Sequence, residues 1–248
     1  MTDMKHVYVV TGATSGIGFA TASMLLPHGR VVGVVRSASR PLPDGVERLV
    51  GDVSDLSDVR RLAAEIRQLG PITALVNNAG VAFGGEELIF RTNHLGPFLL
   101  TSLLADRCER VVFVSSSRHR QAGALDWDAL AAGRCGYETS KLLNVMTVVE
   151  LARRYPKLLA NAADPGFVRS GLGRGATGAF RIMLLLTRPI QNTPEHGART
   201  SVYLATAEVG TGGYYANARA EPPAPIALDE AAGARLWELS ERLVADQG

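Results

Sequence analysis

The sequence predicts one α/β domain built as a doubly wound, mainly parallel sheet with helices on both faces. Three observations carry this. Short β-branched runs alternate with segments of helical spacing, the strand segments are apolar on both faces, and a glycine-rich turn joins the first strand to the first helix. Of 248 residues, 46% are hydrophobic and 20% charged. That balance supports a sizeable core and excludes a disordered or collagen-like chain.

The elements follow in order. Val7 to Val10 and Val31 to Val35 are β-branched runs, and Phe19 to Leu26 between them has helical spacing, which makes a strand, helix, strand unit. Arg48 to Val50 reads as strand, Leu56 to Leu69 as helix, Ile72 to Val76 as strand, Leu95 to Leu104 as helix and Val111 to Val114 as strand. A helix from Tyr137 to Tyr155 and a strand from Leu158 to Ala163 continue the rhythm. After Pro165 it breaks into a Gly- and Arg-rich excursion. A helix from Pro194 to Ala207, a strand at Gly213 to Ala216, a Pro-rich turn at Glu221 to Pro225 and a helix from Leu228 to Val244 complete the chain. There is no repeat or interdomain linker, so the domain spans 1–248.

Charge and cysteine content exclude several functions. With 26 basic and 24 acidic residues the net charge is +2, leaving no footprint for nucleic acid or an anionic membrane. Cys108 and Cys135 have neither the number nor the spacing of a disulfide framework or zinc site, and His28, His94, His119 and His196 have no metal spacing. No metal is expected, and the expected location is the cytoplasm. The apolar stretch within Met1 to Val10 is too short for a signal peptide, and the longest apolar run, Ile182 to Leu186, falls far below the ~20 residues that cross a bilayer.

The turn Thr11-Gly12-Ala13-Thr14-Ser15-Gly16-Ile17-Gly18 opens the first helix. Glycine there permits positive φ and close approach of a ligand, while the helix N-terminus offers unpaired N–H groups and a positive dipole end. A pyrophosphate meets those needs. Its G-x-x-x-G-x-G spacing differs from the G-x-G-x-x-G of the common dinucleotide fingerprint. Further on, Tyr137 and Lys141 stand at i and i+4 and present their polar ends to one point. An ammonium beside a phenol, whose free pKa is near ~10, favours the phenolate and makes the pair an acid/base device.

These motifs and their order resemble the short-chain dehydrogenase/reductase family. The T-G-x-x-x-G-x-G turn is matched in full, Asp52-Val53 follows the third strand, Asn77-Asn78-Ala79-Gly80 the fourth, Tyr137 and Lys141 form Tyr-x-x-x-Lys, and Pro165-Gly166 follows the sixth. The stretches 92–101, 201–206 and 236–240 are similar to the retinol-dehydrogenase-like branch. The resemblance implies a Rossmann-type fold with a seven-stranded sheet and a nicotinamide cofactor bound at the carboxyl ends of the strands. Gly12, Thr14, Ser15, Gly16, Ile17 and Gly18 would hold its phosphates. Asp52 and Val53 would meet the adenine ring, Asn78, Ala79 and Gly80 the ribose side, and Pro165, Gly166 and Val168 the nicotinamide, with Val168 facing the carboxamide. Ala79 and Gly80 read equally as turn residues, and Asp52 equally as a helix cap, as do Ser54 and Asp55.

The resemblance also assigns catalysis. Tyr137 exchanges a proton with the substrate oxygen, Lys141 holds the ribose and biases the tyrosine, Ser116 orients the carbonyl with Ser115 as the alternative, and Asn93 supports a water leading to the lysine. The cofactor is expected to be NADP(H). The second strand ends at Val34-Val35-Arg36 without the acidic residue that binds adenosine ribose hydroxyls in NAD enzymes, and Arg36, with Ser37 and Arg40 near, offers a permanent charge to a 2′-phosphate.

Two departures from the branch stand out: the stretch from Gly80 to Asn93 is short and carries Gly84-Gly85, and Asp164 stands before Pro165 where the branch often has histidine; the insert at residues 118–136 before Tyr137 is one that the branch also tends to have. Residues 166–196 are read as a substrate lid, with Phe180, Ile182, Met183 and Leu184 to Leu186 either lining an apolar pocket or packing a lid helix on the core. The expected partner is a small, lipophilic carbonyl or alcohol. Helices 95–105 and 137–155 resemble those that pair across subunits, which allows a homo-oligomer. The alternatives are a dinucleotide-binding sensor and a non-redox isomerase or cyclase on the same fold.

Overall fold

The computed structural model describes residues 6–168 and 191–246. Its centre is one sheet in the order β3-β2-β1-β4-β5-β6-β7-β8. The strands are β1 (Val7–Thr11), β2 (Arg30–Val35), β3 (Glu47–Val50), β4 (Ile72–Asn77), β5 (Cys108–Val114), β6 (Leu159–Asp164), β7 (Tyr214–Ala216) and β8 (Arg219–Glu221). All neighbours are parallel except β7 and β8. Strand order reverses between β1 and β4, and a crevice opens there at the carboxyl ends.

Alternation along each buried strand sends side chains to two cores. Val7, Val9, Val32, Val34, Leu75, Val111 and Phe113 join one core, packed under α2 (Leu56–Arg67), α4 (Gly96–Leu104), α6 (Tyr137–Arg154) and α8 (Glu230–Ala245). Tyr8, Val10, Val31, Ala74, Val76, Val112 and Val114 face the other, under α1 (Gly16–Leu25) and α7 (Pro194–Thr206). Two short helices, α3 (Glu86–Phe90) and α5 (Trp127–Ala131), were not distinguished in the sequence because neither is long enough to show a period.

The sheet has eight strands, not the seven expected. The eighth forms a hairpin with β7 in which Ala216 pairs with Arg219. Its two-residue turn places both Asn217 (φ 50°) and Ala218 (φ 58°) in the left-handed region, as type I′ turns require. The usual glycine at the second position is replaced by Ala218, so the hairpin signal was hidden. Left-handed backbone costs a non-glycine residue roughly 1–2 kcal/mol, part of which glycine returns as unfolded-state entropy. Ala218→Gly is therefore expected to raise stability by about 0.5–1 kcal/mol. A urea midpoint that does not rise would contradict this.

α6 is buried continuously from Ser140 to Leu151 because α8 covers its outer side. α8 also reaches α4, where the Trp237 and Phe98 rings meet edge to face at 4.9 Å between centroids, and Arg60 donates to the Val244 carbonyl at 2.5 Å.

A π-helical turn, Arg91–Leu95, leads into α4. It buries His94 completely, near the rings of Phe90 and Phe98. Ser240 donates its hydroxyl to Leu236 O, so His94 Nε2 carries the proton and donates to Ser240 Oγ at 2.9 Å. Burial pushes the imidazole down to about 3. The folded chain keeps His94 neutral, whereas the unfolded chain protonates it below pH ~6.5. The resulting stability is complete above that pH and is lost as pH falls toward the folded value. Between pH 7 and 5 this group alone should lower unfolding free energy by about 2 kcal/mol. In His94→Gln that part of the pH slope should vanish, and urea titrations at several pH values would show it.

Candidate active site

The crevice between β1 and β4 is built by two tight approaches. Gly12 (φ 71°) and Gly16 (φ 57°) turn the chain from β1 into α1 through the left-handed region. A Cβ on Gly18 would lie 2.3 Å from Asn78 Nδ2 and 2.4 Å from Gly12 O, so α1 sits this close only because glycine is there. Thr11 fastens the two strand ends, its Oγ1 accepting from the Asn78 and Ala79 N–H groups, each at 3.0 Å. Asn78 Nδ2 answers by donating to Thr11 O at 2.8 Å. The α1 first turn carries no acidic side chain, which leaves its positive end available.

The cavity beside this turn is about 910 Å³. Gly12, Thr14, Ser15, Gly16, Ile17 and Gly18 form one wall. Arg36, with Ser37 and Arg40, closes the end beyond β2, and Asp52 and Val53 stand at the end of β3. Asn78, Ala79 and Gly80 form the opposite side. The Asp52 carboxylate accepts from Ser54 N at 2.9 Å and Ser54 Oγ at 2.8 Å, while the cap of α2 is Asp55, which accepts from Ser57 and Asp58 N–H. Arg36 and Arg40 are exposed and make no ion pair among the described residues. Arg48 holds their loop by donating to Arg40 O at 2.8 Å.

The acid/base candidates gather at the end of β5, next to Gly80. A Cβ on Gly80 would approach Asn93 Oδ1 at 3.3 Å and Lys141 Nζ at 3.5 Å, so this glycine marks where the cavity meets the cluster. Lys141 is buried and donates to Val114 O at 2.9 Å, with its Nζ 5.6 Å from the Tyr137 ring centroid. Ser116 stands near the Tyr137 phenol and favours its ionised form. Ser115 instead donates to Lys141 O at 2.8 Å and is buried, so its hydroxyl braces α6. Asn93 clamps the Val81 backbone through both side-chain atoms, at 2.8 and 2.9 Å, and donates to Ser140 Oγ at 2.9 Å. Thr11, Ser140 and Asn144, which also donates to Val114 O, escaped the sequence reading because their roles depend on partners far along the chain.

Burial pushes the Tyr137 phenol up to about 12, with Ser116 and Arg118 pulling down and Asp164 and Glu138 pushing further up. Burial pulls the Lys141 ammonium down to about 8, opposed by Asp164. The phenol is thus held as a proton donor at neutral pH, beside a lysine that is still mainly cationic. This arrangement can grip an oxygen between two hydroxyls and give it a proton.

Beyond β6, Pro165, Gly166 and Val168 stand off the cavity wall but beside it. A Cβ on Gly197 of α7 would meet Val168 Cγ2 at 2.6 Å, Ile17 Cγ1 at 3.3 Å and Pro165 Cβ at 3.4 Å, so these residues converge next to the phosphate turn. Gly166 takes φ 73° and donates its N–H to Asp164 Oδ1 at 2.7 Å. The remainder of the expected lid, including Phe180, Ile182, Met183 and Leu184 to Leu186, lies outside the described residues. Among the described residues no group of three or more His, Cys, Asp and Glu could hold a metal ion, and no helix is long and apolar enough to cross a membrane.

Comparison with known proteins identifies the family of the chain. The family model for "short chain dehydrogenase" matches residues 6–177. Over 96% of its length the chain is 36% identical to "Putative daunorubicin C-13 ketoreductase DnrU" of Streptomyces sp. (strain C5), covering 92% of that protein. It is 34% identical to retinol dehydrogenase 14 of Mus musculus, over 95% of this chain and 85% of the other. A crystal structure of an uncharacterized protein from Mycobacterium Paratuberculosis superposes with TM-score 0.77 at 32% identity, covering 97% of this chain and 94% of that one.

Proposed function

Because the chain belongs to the short-chain dehydrogenase/reductase family, in its retinol-dehydrogenase-like branch, and is an oxidoreductase of that family, we propose that it interconverts a carbonyl and an alcohol on a small lipophilic substrate, with NADP(H). The observation that carries this reading is the convergence of Ser116, Tyr137, Lys141 and Asn93 at Gly80, on the rim of the glycine-walled cavity. A pure nucleotide binder needs no such acid/base pair.

The residues present fit a dinucleotide. The cradle at Gly12 and Gly18 is space that a Cβ would fill, and the open α1 N-terminus suits a pyrophosphate. Gly12, Thr14 to Gly18 and Asn78 to Gly80 would hold its phosphates and ribose, Asp52 and Val53 its adenine, Arg36 a 2′-phosphate, and Pro165, Gly166 and Val168 the nicotinamide end. Bound there, NADP(H) supplies or accepts the hydride.

The chain's own residues do the rest. Ser116 and Tyr137 fix the substrate oxygen between two hydroxyls, so the reacting carbon is held in one orientation. In reduction Tyr137 gives its proton to that oxygen, and in oxidation it takes the proton back. Lys141, anchored on Val114 O, supplies the positive charge that favours the phenolate once the proton has left. Asn93 keeps the Val81 turn and Ser140 in place around the lysine.

A lipophilic substrate is supported by the names of two relatives, a retinol dehydrogenase and a putative daunorubicin ketoreductase, and by Phe167, which stands 47% exposed next to Gly166. The test is a panel of lipophilic ketones, aldehydes and secondary alcohols offered with reduced and oxidised forms of both nicotinamide cofactors. Turnover of at least one carbonyl with NADPH is expected. NADPH binding without any turnover would favour a sensor.

A further inference from the structure

One buried histidine beside the catalytic cluster has no part in the proposed reaction. His119, 1% exposed, lies on the 3₁₀ helix Ser117–Gln121 that follows Ser116. The Ala224 N–H donates to its Nε2 at 3.0 Å, so Nε2 holds a lone pair, the ring is neutral and Nδ1 carries the proton. Nδ1 then donates to Ser116 O at 2.7 Å. The same carbonyl accepts from the His119 backbone N–H at 3.0 Å, so two donors of one residue fix the peptide plane that follows Ser116. On its other side the ring lies against Tyr214 of β7 at 4.6 Å between centroids, and the Tyr214 hydroxyl donates to Asp164 Oδ2 at 2.6 Å. The imidazole is therefore held by β7 and by the chain after β8, and its one N–H points at Ser116.

We propose that His119 is a positioning residue of the active site: its Nδ1–H holds the Ser116 carbonyl, and through that carbonyl sets the direction of the Ser116 side chain toward the substrate oxygen. The proposal rests on the reading of Ser116 as a group that fixes that oxygen. Ser116 stands where β5 gives way to the 3₁₀ helix, in extended backbone (φ −168°, ψ 152°), and its Oγ accepts from Arg118 N at 3.3 Å. Its hydroxyl direction depends on the backbone torsions of one junction residue, and a clamp on its carbonyl controls those torsions. Misplacing a substrate-orienting group by about 1 Å can cost roughly 10²-fold in rate. A plainer role, holding the Pro-rich turn at 221–225, has a second provider, because Arg120 donates to Pro222 O at 2.7 Å. That role needs only Nε2, whereas the Nδ1 bond serves Ser116.

Two substitutions separate these roles. Asparagine places its amide nitrogen where Nδ1 stands, so His119→Asn keeps the bond to Ser116 O and gives up Ala224. Glutamine reaches the Nε2 position, so His119→Gln keeps an acceptor for Ala224 N and gives up Ser116 O. With NADPH and a carbonyl turned over in the panel, His119→Gln is expected to lower kcat roughly 10- to 100-fold, with KM for NADPH nearly unchanged. His119→Asn should stay within a few-fold of wild type, and urea midpoints show that both variants are folded. On a Ser116→Ala background the two variants should turn over alike, since a residue acting through Ser116 has nothing left to position. Equal kcat in the two single variants, a larger loss in His119→Asn, or a His119→Gln loss that persists in full without the Ser116 hydroxyl overturns the proposal. The tautomer is read without turnover, in the full chain carrying ¹⁵N-histidine, with the His119 ring assigned by its loss in His119→Gln. An Nδ1–H ring near neutral pH is expected, and an Nε2–H ring or an imidazolium overturns the proposal. Failure of the redox reading shows separately, as Ser116→Ala and Tyr137→Phe without effect while the Nδ1–H ring is intact.

Discussion

Tyr137→Phe is expected to lower kcat by about 10²- to 10⁴-fold, the loss that accompanies removal of a general acid/base. The ring packs at the start of α6 and faces Lys141 Nζ at 5.6 Å, and phenylalanine keeps that ring. Only the hydroxyl, which lies near Ser116, is removed. Cofactor affinity should therefore stay within a few-fold, because the phosphate turn, Arg36 and the Lys141 anchor on Val114 O are untouched. A rate loss confined to kcat, with KM for the cofactor nearly unchanged, is the signature of a group that acts in the transition state. Near-normal turnover in the variant would remove Tyr137 from the chemistry.

Arg36→Asp is expected to reverse cofactor preference. The wild-type chain should favour NADPH over NADH by about 10- to 100-fold in kcat/KM, since one charge-assisted hydrogen bond contributes roughly 1.5–3 kcal/mol. Arg36 stands exposed at the end of β2, without an ion-pair partner among the described residues, and borders the cavity with Ser37 and Arg40. Aspartate there repels a 2′-phosphate and accepts hydrogen bonds from ribose hydroxyls, so both changes act in the same direction. Arg40, carried on the loop that Arg48 braces, should soften the loss for NADPH. Comparing both cofactors on both proteins checks this. An unchanged ratio, or a wild-type preference for NADH, would contradict it.

Much of this was legible because the informative residues are local. The G-x-x-x-G-x-G turn, the i, i+4 pair of Tyr137 and Lys141 and the alternating strands each announce themselves within a few positions. What escaped depends on distance or on an unusual residue. β8 was hidden because Ala218 occupies a left-handed position that normally signals itself with glycine. The sheathing of α6 by α8 could not be read, since both helices have ordinary spacing and only the fold brings Trp237 to Phe98. Asp52 and Asp55 were indistinguishable as caps until the backbone showed which of them meets the first N–H groups of α2. Asp164 was noticed only as a departure, because Tyr214 and His119, which give it meaning, lie about 50 residues away on either side in the sequence.

The central claim is that this cavity brings a carbonyl, NADPH and the Tyr137 proton together. It is tested most directly by incubating the protein with NADPH deuterated at the transferable position of the nicotinamide and a carbonyl turned over in the panel, then analysing the alcohol by mass spectrometry. The account predicts one deuterium on the carbinol carbon with wild type, and its near-complete loss with Tyr137→Phe under the same conditions. Alcohol formed without deuterium from either face of the nicotinamide, or deuterium transfer undiminished in Tyr137→Phe, would contradict it.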